Sequence, residues 1–126
     1  MKKLFLFVAL LVCFSLNINA KEVYCELLGI ATNLSGSKVK VQVDFGEEKN
    51  PWGRDNRDML VDDSGKPIKF NSMVDAMNYM SQFGWKFKAA YFVSIGGKEV
   101  IHWLLYKEVE DDSEIKEGIT QKRDLK

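Results

Sequence analysis

Cys25 and His102 are the side chains best suited to reactive chemistry. His102 is the only histidine and Cys25 is one of two cysteines. Together they could form a thiol–imidazole pair, the histidine taking the thiol proton and leaving a nucleophile. Nothing in the spacing brings them together, because they fall in different hairpin-forming segments. In Val23-Tyr24-Cys25-Glu26-Leu27 the cysteine alternates onto the side of Val23 and Leu27. That pattern describes a small buried hydrophobe whose thiol stays protonated. An odd cysteine in an exported chain also allows an intermolecular disulfide. A single histidine cannot furnish an ordinary zinc shell, so neither a metal nor a cofactor is expected. Asp62-Asp63 reads as turn chemistry and Asp111-Asp112 belongs to a charged C-terminal stretch. Asp55-Asn56-Arg57-Asp58 lacks calcium-loop spacing and is interrupted by arginine. Gly96-Gly97 opens no helix and is a hairpin turn rather than a phosphate cradle. No catalytic residue is assigned.

The more informative feature is an excess of apolar groups. In the segment Val100–Lys107, Ile101, Trp103 and Leu105 point one way, and His102, Leu104 and Tyr106 the other. If the first set packs under a helix, the second lies on the opposite sheet face, where Phe92 of the preceding strand is expected to join it. An antiparallel sheet with one wet face should not carry this cluster uncovered. The covers considered are the Gly46–Asp58 loop with Trp52 folded over the sheet, a second copy or partner protein, and a small ligand. Arg54 and Arg57 would supply rim contacts.

The elements that position these residues follow from periodicity. Lys38–Phe45 alternates polar and apolar over eight residues, and Glu22–Ala31 is rich in strand formers. Asn33-Leu34-Ser35-Gly36 between them predicts a hairpin turn. Gly46–Asp58 holds seven charged residues in thirteen around Pro51-Trp52-Gly53 and predicts a long loop. Leu60–Ile68 is a tight turn between two short extended pieces. Ser72 is a cap with Asp75 three residues on, and Met73, Ala76, Met77, Met80 and Phe83 recur at helical spacing. Gly84 stands where a left-handed C-cap is expected, and Trp85 can fold back on Met80. Phe87, Ala89, Tyr91, Val93 and Ile95 alternate on one side, and a glycine turn leads into the closing strand. The order predicts an α+β domain over residues 21–107: a two-layer ββ-loop-α-ββ arrangement, mainly antiparallel, with one helix packed on one face.

Both ends differ in character. Met1-Lys2-Lys3, an apolar run from Leu4 to Leu16, and Asn17-Ile18-Asn19-Ala20 have the layout of a signal peptide over residues 1–20, too short to span a bilayer. Valine precedes Cys13 where a lipoprotein site requires a small residue, so soluble export to the periplasm or beyond is the expectation. Cleavage after Ala20 removes Lys2 and Lys3, leaving 16 basic and 18 acidic side chains. That slight acidity lacks the basic surplus of nucleic-acid binders, and no second apolar run could insert into a membrane. Residues 108–126 carry eleven charges in nineteen residues with no aromatic, which predicts a solvated, disordered tail.

The run from Asp75 to Lys107, with its Gly84-Trp85-Lys86-Phe87 step and closing Trp103-Leu104-Leu105-Tyr106-Lys107, resembles the small bacterial domain of unknown function 4177. Gly65-Lys66-Pro67-Ile68-Lys69-Phe70 leading into the helix is similar to small secreted proteins of the Bacteroides group. Lys86 stands where that family usually has glutamate. The resemblance implies a helix followed by a C-terminal hairpin and transfers no catalytic residue. The reading is an exported, non-enzymatic binding module for an unidentified protein or cell-envelope partner, or a homodimer, using Trp52, Arg54, Arg57, Phe92, His102, Leu104 and Tyr106. Its rivals are a small thiol enzyme or hydrolase using Cys25, and a purely structural homo-oligomer.

Overall fold

Alternating sequence becomes alternating burial in the two N-terminal strands, β1 (Lys21–Ala31) and β2 (Val39–Asp44). Cys25, Leu27, Val41 and Val43 turn inward and are buried, while their neighbours are not. These features come from a computed structural model that describes residues 19–32, 38–49 and 56–125. Most of the segment expected to be a signal peptide, the expected turn at Asn33–Gly36, Trp52 and Arg54 lie outside the described residues. Among the described residues one α-helix, α1 (Met73–Ser81), precedes β3 (Lys86–Ile95) and β4 (Lys98–Val109). The sheet is antiparallel, in the order β2-β1-β4-β3. This is the α+β arrangement expected, with a four-stranded sheet and one helix against it.

The helix begins where its cap stands. Ser72 is extended and its hydroxyl accepts from the Asp75 N–H at 3.2 Å. The reciprocal bond is displaced by one residue, since the Asp75 carboxylate accepts from the Asn71 N–H at 2.9 Å rather than from Ser72. Ala76 and Met80 are buried, and Met73, Met77 and Phe83 pack against the same core. Met73 lies so close to Gly29 of β1 that a Cβ there would collide with its sulfur. Gly84 ends the helix with φ of 90°, a conformation open to glycine at little cost. The next residue, Trp85, donates its backbone N–H to the Met80 carbonyl at 3.4 Å and buries its ring. Phe45 meets that ring at 5.8 Å, and the Lys107 ammonium lies 5.6 Å from its centre.

One edge of the sheet is covered. Val39 pairs with Phe70, Gln42 with Met59, and Leu60 in turn with Gln121. The excursion predicted between Leu60 and Ile68 is a small hairpin closed by Val61 and Pro67. At its turn the Asp62 carboxylate accepts from the Ser64 and Lys66 N–H groups.

The C-terminal segment corrects the expectation of a disordered tail. It is ordered through Leu125, with short 3-10 turns at Asp112–Glu114 and Lys122–Asp124. Ile119 and Gln121 are buried. The Gln121 amide donates to the Val43 carbonyl at 2.6 Å and to the Asp58 carbonyl at 3.2 Å. Several of the charges that suggested solvation are paired instead. Arg123 bonds Asp58 and Glu47, and Lys116 bonds Glu47 and Asp124. Composition counted these charges but could not show that Glu47 and Asp58 would stand opposite them.

Candidate functional site

The face of the sheet away from α1 is built in rungs by the strand register. Gln42, Leu28, His102 and Tyr91 form one rung across the four strands. Asp44, Glu26, Leu104 and Ala89 form the next, and Tyr24, Tyr106 and Lys86 the one after. Strand residues alternate between faces, so these residues share one side. His102, Leu104 and Tyr106 therefore project together, as expected, and are half-buried.

Phe92 does not join them, which corrects the sequence reading. The β3 register slips between Phe87 and Ala89, so Lys88 is an extra, bulged residue. Before the bulge Phe87 pairs with Leu105 on the helix side; after it Ala89 pairs with Leu104 on the open side. The alternation reverses, Tyr91 takes the place expected for Phe92, and Phe92 pairs with Ile101 on the helix side. Ala89 and Val93, expected beside Phe87, move with Tyr91. Lys88 uses the bulge to lie 5.6 Å from the Tyr24 ring centre and 5.3 Å from that of Tyr106, with Glu22 at 3.9 Å.

Two residues absent from the sequence-derived site organise this face. Glu26 accepts from the Tyr91 hydroxyl through one oxygen and bonds His102 Nδ1 through the other. An ionised carboxylate only accepts, so Nδ1 carries the proton in that bond. The Tyr91 ring stacks on the imidazole with centroids 5.2 Å apart and planes 15° from parallel. Glu22 accepts from the Tyr24 hydroxyl in the same manner. Both tyrosines are held above their usual pKa, first by these bonds to carboxylates. The signal for Glu26 was present in the alternation of Tyr24, Glu26 and Leu28. Its meeting with His102 depends on the β1–β4 register, which no local pattern displays.

A shallow cleft of about 60 Å³ opens beside this cluster, lined by Glu26, Leu28, Gln42, Asp44, Lys49, Asp58 and His102. Burial raises the Asp44 pKa, but hydrogen bonds from Lys49 and the Gly46 N–H outweigh it and hold the carboxyl below its ordinary value. Asp58 closes a short turn, Asn56–Asp58, that also contains Arg57. No serine, threonine or cysteine lines the cleft. Among the described residues, no group of three His, Cys, Asp or Glu side chains could hold a metal ion.

Cys25 lies on the other side of the sheet, paired with Leu105 and buried. The sheet separates it from His102. Desolvation, followed by the nearby Asp44 charge, pushes its thiol far above the usual range. We expect thiol reagents to leave the folded protein unlabelled at neutral pH and to label it on addition of denaturant. Stoichiometric labelling within minutes under native conditions would contradict this placement.

No family model matches the chain, and no curated protein or solved structure matches it. Among the described residues, no helix is long and apolar enough to cross a membrane.

Proposed function

We propose that this chain is an exported, non-enzymatic binding module that takes a protein or cell-envelope partner on the open sheet face. One observation carries the reading: Tyr24, Tyr91, His102, Leu104 and Tyr106 stand together on the face that α1 leaves bare. Tyr24 and Tyr91 remain 44% and 41% exposed. Their hydroxyls are tethered by Glu22 and Glu26, which removes rotamer freedom before a partner arrives. Aromatic side chains fixed in this way give large contact area at low ordering cost, the property that makes them binding hot spots. Lys88 supplies charge beside the Tyr24 and Tyr106 rings, where charge steers encounter more than it adds affinity. The thiol-enzyme alternative draws no support from a cysteine buried on the opposite face.

The test uses the protein as recovered from cells expressing the whole chain. Tyr91→Ala with Tyr106→Ala is expected to weaken retention of an envelope partner by about tenfold or more. Circular dichroism should be unchanged, because neither side chain belongs to the buried core. Undiminished retention by the double variant would remove the open face from consideration.

A further inference from the structure

We infer that β3 pairs edge to edge with β3 of a second copy of this chain, forming a continuous eight-stranded sheet. The two edges of the four-stranded sheet are not equivalent. The outer side of β2 is occupied by the Met59–Leu60 and Phe70 bridges, whereas no described segment pairs with the outer side of β3. That free side carries unpaired backbone donors and acceptors, which call for another extended chain rather than for a compact ligand.

The sequence of this edge fits a copy of itself. Ala89-Ala90-Tyr91-Phe92-Val93-Ser94-Ile95 has no charge, no proline and no glycine. A lone edge strand is ordinarily protected by inward charges or proline, and here the bulged Lys88 guards only its beginning. On the helix side, beyond the reach of α1, Phe92 is 67% exposed, Phe87 48% and Ile101 39%. Antiparallel pairing about a two-fold axis normal to the sheet requires each residue to meet one of the same face. With Tyr91 on the axis, Ala90 meets the copy's Phe92, a small residue against a large one, and Ala89 meets Val93. The bulged Lys88 lies outside this regular pairing, so no charged residues meet across the junction. Both helices lie on one side of the joined sheet and both open faces on the other.

A single strand pair with these side chains is a small interface, so the association should depend on concentration. Its Ala90–Phe92 contacts lie on the helix side, so a change at Phe92 alters the junction without touching the side chains of the open face.

Sedimentation of the protein recovered from cells expressing the whole chain, over a concentration series, gives the direct test. The expected result is a reversible monomer–dimer equilibrium that Phe92→Lys weakens about tenfold or more. Phe92 is exposed, and the variant should keep the parent's circular dichroism. Hydrogen exchange supplies a second reading on the unaltered chain. The amides of Ala89–Val93 that point away from β4 should be protected at high concentration and lose protection on dilution. A monomer at every concentration, with those amides exchanging freely, would overturn the inference. So would a dimer that Phe92→Lys leaves intact, or one whose formation leaves β3 unprotected.

Discussion

Trp85→Ala is expected to lower the unfolding free energy by about 3–5 kcal/mol, the range for removing a large aromatic side chain from a core. Trp85 is 1% exposed and joins the helix to everything beneath it. Gly84 swings the chain through a left-handed turn, and the indole then fills the space between the Met80 side of α1, Phe45 and Leu105. Alanine would leave a void that these neighbours can close only in part. It would also strip Lys107 of the ring beneath its ammonium. Because Lys107 is itself buried and otherwise bonds the Glu114 carbonyl, the damage should spread to the C-terminal segment. Urea unfolding followed by circular dichroism measures the effect. A loss under about 1 kcal/mol would mean that Trp85 is not packed in the core.

Deleting residues 111–126 is expected to cost several kcal/mol, although the sequence alone presents them as a tail. The deletion uncovers the sheet side that Ile119 seals and leaves the Val43 and Asp58 carbonyls without the Gln121 amide. Each buried carbonyl that loses its donor costs about 1–3 kcal/mol, and burial of the isoleucine adds about 1.5–3 kcal/mol. It also leaves Asp58 and Glu47 without Arg123 and Lys116. The same network predicts an acid response in the full chain. Burial raises Asp124, but bonds from Lys116 and the Gln121 N–H outweigh it and set its folded pKa below the unfolded one. Its contribution is therefore present above the ordinary aspartate value of about 3.9 and is lost as pH falls through the folded pKa. A truncated chain with the parent's denaturation midpoint would show that the segment does not dock.

Much of the architecture was legible because it is local. The alternation of β2, the Ser72 cap, the stripe through Ala76 and Met80, and the Gly84-Trp85 step each record a short-range constraint, and each took the form expected. The open face was half legible. His102, Leu104 and Tyr106 lie on one strand, so alternation alone groups them. Phe92 and Tyr91 were exchanged because an unbroken alternation gives no sign of a bulge. The bulge arises where Lys88 gains the Tyr24 and Tyr106 rings, and those come from strands distant in sequence. Glu26 is hidden for a related reason. A glutamate on the wet side of a strand is ordinary until β4 brings His102 and β3 brings Tyr91 against it. Charge content alone describes the C-terminal segment as solvated, because it counts charges without their partners. Arg123 and Lys116 are charges with partners waiting in the loop after β2.

If a partner binds the open sheet face, side chains there should lie against it in the cell. Site-specific photocrosslinking in the cells that make the protein tests it most directly. A photoreactive side chain would replace Tyr106 on the open face or Val74 on the exposed side of α1, the latter 60% exposed. One discrete adduct is expected from position 106, competed away by excess unmodified protein, and none from position 74. Adducts from position 74 alone, or equal and uncompeted labelling from both positions, would contradict it.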